Sequence, residues 1–468
     1  MINTAFFIID LLILAYFAVI NGTYLLLLFL SYFSIIRYRR LVRFEQWRRV
    51  IQSPRSLPVT IIAPAYNEEA TIVESVKSLL MLQYPMFEAL IVNDGSDDRT
   101  MEILKSTFDL RKIPVQLEEK LKCQDILGVY RSPTNPNLVV VDKSNGGKAD
   151  ALNAGVNVSR YPLVCAIDAD SLIEGRALLR VTQPFLEEPR TTVAVGGVVR
   201  VANGCHIEGG RVLRVRLSKS WLAMFQTVEY LRAFLFGRTG WAAIRSLLII
   251  SGAFGVFKKS AVIEVGGYSH NTVGEDMELV VRMHHLFRRQ GRKYQIHFLP
   301  DTVCWTQVPE SLKVLARQRN RWHRGLMDSL LWHRGMLFNP KYGTVGMIAF
   351  PFFLFFEMLG PIVELAGYVI IPLSYALGIL NVQFFFLFLA LAILLGVVLS
   401  TGSVAMEQLL SRRYLRIGEL AKLVLGGILE NFGYRQLHTW WRFTGIVDYF
   451  RKKTTWGKME RKAFATVK

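Results

Sequence analysis

Cysteine is scarce in this chain: four in 468 residues, with no Cys-x-x-Cys pair among them. Cys123, Cys165, Cys205 and Cys304 therefore offer no zinc knuckle and no disulfide framework, and free thiols are expected. Acidic residues are also in short supply, 37 against 56 basic ones, for a formal net charge of +19. No base-reading module accompanies that charge, which argues against a nucleic-acid partner and for anionic lipid. There is no internal repeat and no low-complexity tract, which excludes a solenoid.

Charge itself is nearly missing from residues 4–36 and 343–404. With 51% hydrophobic residues and a mean hydropathy of +0.28, the chain is too apolar for an ordinary soluble enzyme. It reads as a membrane protein with one large water-exposed domain between its membrane segments. Thr4 to Ile36 would be roughly 50 Å long as a helix, against a hydrocarbon core of about 30 Å. One tilted span within 1–36 fits better than two short ones, which would divide at Asn21-Gly22. The run is too long, and lacks the basic leader, for a cleaved signal. Arg37, Arg39, Arg40, Arg43, Arg48, Arg49 and Arg55 follow, against only Glu45. This basic linker, 37–56, places the next domain, 57–335, in the cytoplasm by the positive-inside rule.

Two more spans are expected within 361–404, near 361–380 and 384–404, divided at Asn381. The loop between them is uncharged, and Arg412, Arg413 and Arg416 bring the chain back inside. Residues 336–360, with Pro351 and Glu357, read as an interfacial segment. The run 417–433, within the tail 405–468, reads as an interfacial helix before a basic end. Glu357 and Glu364 stand seven apart, on one helical face. They either pair near the headgroups or line a polar path.

Between the membrane segments, Pro58–Ala63, Glu88–Val92, Leu138–Val141 and 163–167 read as buried strands, with 193–201 a further one. Helices are expected over Glu68–Gln83, up to about Phe108, and over 147–158 and 175–187. Such alternation means an α/β domain with a mostly parallel sheet. Its ligands should lie beyond the carboxyl ends of the strands, where every polar cluster falls.

Each cluster has a plain reading and a chemical one. Asp168 and Asp170 follow the apolar run Val164–Ile167; residues two apart in an extended chain share a side and could hold Mg²⁺ or Mn²⁺, or simply finish the strand as a cap or turn. Asp94 could accept from a nucleobase or ribose, or close an Asx turn with Gly95. Tyr66 could stack on a base whose edge meets the backbone at Ala65. Asn145-Gly146-Gly147-Lys148 before a helix suits a phosphate or a tight turn. Glu229 and Arg232 have ion-pair spacing, and Ile250–Gly255 lets a backbone approach something closely. In Gly274-Glu275-Asp276, a carboxylate could cap the helix or take a proton from an incoming hydroxyl. The run Arg317–Arg324 could bind diphosphate and stack Trp322 on a sugar, or lie on anionic lipid.

As a set, Asp94, Asp168-x-Asp170, Gly274-Glu275-Asp276 and Gln318-x-x-Arg321-Trp322 resemble the membrane-embedded family 2 glycosyltransferases. That group contains the cellulose, chitin, hyaluronan and poly-N-acetylglucosamine synthases. The resemblance covers about 57–330. The tail from Glu430-Asn431-Phe432-Gly433-Tyr434-Arg435 to Trp456-Gly457-Lys458 is similar to bacterial members of the poly-N-acetylglucosamine-synthase-like branch. The family's Asp-Asp-Gly is Asn93-Asp94-Gly95 here, which touches one secondary nucleotide contact.

The resemblance implies an α/β GT-A (Rossmann-like) domain with helical membrane spans. It implies an inverting, processive hexosyltransferase that builds a β-linked polysaccharide from a UDP-sugar and moves it across the inner membrane. By the same resemblance Ala65, Tyr66, Glu68, Asp94, Lys148, Asp168, Gln318 and Arg321 would bind the donor. Asp168 and Asp170 would hold Mg²⁺ or Mn²⁺, Asp276 would be the general base, and Glu275 and Trp322 would meet the acceptor. Partners would be the UDP-sugar, the growing polysaccharide, the bilayer and accessory export subunits, without nucleic acid. The alternative activity adds one sugar to a membrane lipid. A non-catalytic scaffold would be expected to have lost Asp276 or the Asp168/Asp170 pair, and all three are present.

Overall fold

The structure, a computed structural model, describes residues 2–43, 56–116, 118–410, 414 and 416–453. Glu45, Arg48, Arg49 and Arg55 of the basic linker, Arg412 and Arg413, and Trp456–Lys458 of the tail lie outside the described residues.

Aliphatic and β-branched runs set the strands. After α1 (Ile2–Arg43) come β1 (Val59–Ala65), α2 (Ile72–Leu80), β2 (Phe87–Asp94), α3 (Thr100–Phe108), β3 (Arg111–Ile113) and β4 (Ile126–Arg131). β5 (Leu138–Lys143), α4 (Lys148–Val158), β6 (Leu163–Ala166) and β7 (Leu172–Ile173) follow. The helix expected over 175–187 is two pieces, α5 (Ala177–Val181) and α6 (Gln183–Glu187), because Pro184 supplies no N–H to continue one ladder. β8 (Thr192–Val201), the hairpin β9 (His206–Glu208) and β10 (Arg211–Arg214), α7 (Trp221–Tyr230), a π-helical stretch Leu231–Gly237 and α8 (Arg238–Ala243) come next. β11 (Gly255–Lys258), α9 (Lys259–Glu264), α10 (Glu275–Arg289), β12 (Gln295–Thr306) and α11 (Leu312–Trp332) complete the domain.

One ten-stranded sheet runs in the order β3-β4-β5-β2-β1-β6-β11-β8-β12-β7. Its centre, β5-β2-β1-β6, is parallel as expected. The flanks are not: β11 lies antiparallel between β6 and β8, so four neighbour pairs are parallel and five antiparallel. β11 is only four residues long and its start reads as glycine loop, which hides a strand from any periodicity. Alternate residues face opposite ways: Ile62, Leu90 and Val139 join one apolar cluster, while Ile61, Ile91 and Val140 join another. Both faces of the sheet are therefore buried at its centre, and the polar groups of those strands are left at the strand ends.

Among the described residues, two helices are long and apolar enough to cross a membrane: α1, over Leu11–Arg40, and a helix at Val382–Leu410. A third crossing is available from a bent pair, Val345–Met358 and α12 (Gly360–Ala376), which turn by 41° where they meet. Pro361 sits at that bend and cannot donate to the preceding turn. The Val382–Leu410 helix is α13; α14 (Ile417–Leu429) and α15 (Tyr434–Phe450) end the described chain. α1 does not stop at Ile36 but stays helical through Arg37, Arg39 and Arg40, since arginine is a good helix former whose stem can lie along apolar surface. In that turn Tyr38 donates to Asp301 Oδ1 at 2.5 Å, docking the helix on the domain.

α10 and α11 touch through backbone. A Cβ on Gly325 would lie 2.6 Å from Gly274 Cα, and one on Gly274 would lie 2.7 Å from Gly325 Cα. Gly325→Ala should therefore cost about 1–3 kcal/mol, as overpacking does, and lower the midpoint of thermal unfolding. Gly335→Ala, with nothing within 4 Å of its Cβ, is the control and should leave the midpoint near wild type.

Candidate active site

The parallel register of β2 and β5 sets Asn93 beside Asp142 and Asp94 beside Lys143. Asn93 Nδ2 donates to Asp142 Oδ1 at 2.7 Å. Lys143 is wholly buried, with its ammonium 2.6 Å from Asp94 Oδ1 and 2.6 Å from Asp150 Oδ1. Asp94 also accepts from the N–H groups of Gly146 (3.1 Å) and Gly147 (2.8 Å), so its carboxylate shapes the loop into α4. Both glycines are required there. Gly147 has φ +87°, and a Cβ on Gly146 would sit 2.4 Å from Asp150 Cγ.

α4 opens with Lys148, whose Nζ lies 2.6 Å from Asp168 Oδ1 and 3.2 Å from Glu275 Oε1. Burial opposes its charge, but Asp168 and Glu275 outweigh burial and raise its pKa. The neighbouring backbone is Gly252, where a Cβ would stand 2.9 Å from Lys148 Nζ. Gly252 N–H donates to Asp276 Oδ2 at 2.9 Å, and Met277 N–H donates to Asp276 Oδ1 at 2.8 Å. The close approach expected in Ile250–Gly255 is this one. Burial, then the nearby Asp276 charge, raises Glu275, with Lys148 opposing.

Asp168 and Asp170 stand near enough for their charges to interact, though not by the pleat of a strand. β6 stops at Ala166 and the pair sits in the turn beyond it, where Ser171 N–H bonds Asp168 O at 3.0 Å. Burial and the Asp168 carboxylate push Asp170 up to about 6, against Lys148 and Arg321. The charge of Arg321, on α11, thus acts on the same carboxylate. Gln318, one turn earlier, is buried and its Oε1 has no hydrogen-bond partner among the described residues. Trp322 is 39% exposed, with the Arg319 guanidinium 4.3 Å from its ring.

The remaining expected residues line the β1 end of the edge. Ala65 is buried, whereas Tyr66 is 46% exposed and bonds Asp97 Oδ2 at 3.1 Å. Glu68 is buried and accepts from Thr71 Oγ1 at 2.7 Å, bracing its own turn. The expected Glu229–Arg232 pair does not form. α7 ends at Tyr230 and the wider π turns rotate Arg232 away. Arg232 instead pairs with Glu430 and donates to Ser400 at 2.9 Å, while Glu229 holds Arg319 at 2.8 Å and Tyr434 at 2.8 Å.

Sequence reasoning missed Lys143 and Asp150. Their signal was a charge inside a buried strand and another one turn into a buried helix, each pointing to a partner. Lys143→Met should cost about 3–5 kcal/mol, because it strands two buried carboxylates. Thermal unfolding measures this; a midpoint equal to wild type would show that Asp94 and Asp150 do not depend on it.

Residues 54–325 match the model of the glycosyltransferase-like family 2. The poly-beta-1,6-N-acetyl-D-glucosamine synthase of Staphylococcus aureus (strain COL) is 30% identical over 276 residues, which is 58% of this chain and 55% of that protein. The Staphylococcus epidermidis enzyme of the same name is 30% identical over 274 residues, with the same shares. The chain thus spans about half the length of the curated relatives it matches. A mannosyltransferase from Pyrobaculum calidifontis, solved with GDP-Man and Mn²⁺, shares the fold at a TM-score of 0.51 and 17% identity, over 92% of this chain and 99% of that one. With the family model matched across the whole sheet and the strand-edge site, the chain belongs to the family 2-like glycosyltransferases.

Proposed function

We propose that the chain is an inverting, processive glycosyltransferase that polymerises sugar from a UDP-sugar and passes the product across the membrane. The observation that carries this reading is the gathering of Lys148, Asp168, Glu275 and Asp276 around Gly252, with α11 closing over them. The relatives named for a polymer synthase support the polymer.

Each residue has a role its geometry suits. Two backbone N–H groups orient the Asp276 carboxylate, so it can take the proton of an acceptor hydroxyl. That oxygen attacks the anomeric carbon as the bond to the diphosphate breaks on the opposite face, which inverts the centre. Lys148 and Arg321 face the leaving diphosphate, where fixed cations act most strongly. Tyr66 and the Asp94 loop lie where the base and ribose would sit, and Trp322 offers a face to the acceptor sugar.

The Asp168/Asp170 pair fits Mg²⁺ or Mn²⁺. It offers hard oxygen donors, and its crowding and burial, which raise Asp170 to about 6, are costs a cation relieves. When bound, the ion would neutralise charge on the departing diphosphate.

Topology supports export. α15 lies along α11, with Asn320 Nδ2 donating to Asp448 Oδ2 at 3.0 Å and Gly445 packed against Asn320. The tail and the catalytic domain therefore share one side of the membrane, the cytoplasmic side by the arginines of α1. Between α11 and α15 the chain must cross an even number of times. α13 is one crossing, and the bent pair is the other. Inside this bundle Glu357 holds Tyr24 and pairs with Arg442 at 3.0 Å, and Glu364 accepts from Thr439. These partners satisfy both carboxylates inside the protein, as ionisable groups among apolar helices require.

Membranes supplied with radiolabelled UDP-N-acetylglucosamine and Mn²⁺ should yield a size ladder on a gel. A single-sugar lipid product would overturn the polymer and keep the transferase. Asp276→Asn should lower turnover ~10²-fold or more, as loss of a general base does, with UDP affinity near wild type. More than about a tenth of wild-type turnover would remove Asp276 as the base. Trp322→Ala should impair acceptor use and spare UDP binding; the reverse pattern would move Trp322 to the donor side.

A further inference from the structure

α10 carries Glu275 and Asp276 in its first turn, yet its N-cap is Gly274, which has no side chain to satisfy the N–H groups there. The glycine is dictated by its neighbour, since a Cβ on it would lie 2.7 Å from Gly325 Cα of α11. What fixes the start of α10 comes instead from outside. Gly274 N–H donates to Thr272 Oγ1 at 3.1 Å, and Thr272 Oγ1 donates in turn to Asp328 Oδ2 of α11 at 2.8 Å. Thr272 is buried, which makes either bond costly to lose.

Asp328 shares its helix with residues that face the site. Gln318, Arg321, Gly325 and Asp328 follow at spacings of three, four and three, so they form one stripe of α11. Within that stripe Gly325 meets the backbone of Gly274, and the Arg321 charge acts on Asp170 and Glu275. A second tie lies further along, where His333 Nε2 stands 3.2 Å from Glu278 Oε1. Asp276 itself is held by Gly252 N–H and Met277 N–H. Those two bonds set how its carboxylate is turned, but neither relates it to α11. The chain Asp328–Thr272–Gly274 does.

We propose that Asp328 is a positioning residue for transfer: through Thr272 and Gly274 it fixes the Asp276 carboxylate in register with Arg321 and Trp322. This rests on the transferase reading, in which Asp276 takes the acceptor proton while α11 meets the diphosphate and the acceptor sugar. Transfer needs the acceptor oxygen, the anomeric carbon and the leaving oxygen in line, with the base in hydrogen-bond reach. An error in placing α10 against α11 is therefore an error along the reaction axis. Asp328 need touch none of the reacting atoms to control it.

The test is turnover of UDP-N-acetylglucosamine by the full chain in nanodiscs with Mn²⁺, read as kcat and KM in two backgrounds. Asp328→Leu should lower kcat about tenfold or more, since a misplacement of ~1 Å costs up to ~10²-fold. KM for the donor should stay within about twofold. Asp328→Asn keeps an oxygen that accepts from Thr272, and should retain at least about half of the wild-type kcat. In an Asp276→Asn background, Asp328→Leu should change kcat by less than about twofold, because the group it places is gone. A merely structural contact would cost the same factor in both backgrounds. That result, or a raised KM with kcat unchanged, overturns the role. Thr272→Val deletes the linking hydroxyl at nearly constant shape and should show the same kcat loss and the same non-additivity, so the test stands even where Asp328→Leu does not fold. Wild-type turnover in Asp276→Asn would remove the base and the role of Asp328 with it. No transfer by the wild type from UDP-N-acetylglucosamine or UDP-glucose sinks the transferase reading as well, whereas transfer with additive losses sinks the positioning role alone.

Discussion

A charge cannot be left alone between a buried sheet and hydrocarbon, and that constraint organises this chain. The layer where the strand ends meet the membrane helices is crowded with ionisable groups, and most are held in pairs that join different elements. Lys143 ties β2 to α4 through Asp94 and Asp150. Arg200 of β8 pairs with Glu407 of α13 at 2.5 Å, both buried. Arg232 reaches Glu430 beyond α14, Arg319 reaches Glu229 across to α7, and Arg442 of α15 holds Glu357. Replacing both partners of such a pair by apolar residues is often neutral, yet removing one partner is expensive. The pairs therefore fix which membrane helix sits against which part of the catalytic domain.

The same rule separates structural charges from chemical ones. At the site, Lys148 is shared by Asp168 and Glu275, and Asp170 is held up by its neighbour and by burial. These carboxylates crowd one another rather than being neutralised one by one. Such a surplus suits a site that works on a diphosphate with a divalent ion, whereas the one-to-one pairs above suit a joint.

What could be read from the chain follows from the range of each interaction. Short apolar strands and the residues that end them are local, so β1, β2, β5 and β6 and the polar edge were legible. So was the break at Asn381, between α12 and α13. Partners are not local. Glu229 and Arg232 have the spacing of a pair, yet each is claimed by a residue more than eighty positions away. The direction of β11 depends on which neighbours accept it and leaves no periodic trace in four residues. Lys143, by contrast, could have been found, since a lysine closing the strand of Leu138, Val139, Val140 and Val141 needs an explanation.

The back-to-back glycines at 274 and 325 carry one more consequence. Side chains normally cushion the contact between two helices and absorb small displacements by changing rotamer. Here backbone rests on backbone, and Gly445 repeats the arrangement between α15 and α11. Three elements are thus stacked without padding, from the interfacial tail to the carboxylate of Asp276. A displacement of α15 therefore has no side-chain layer to absorb it before it reaches α11 and the start of α10.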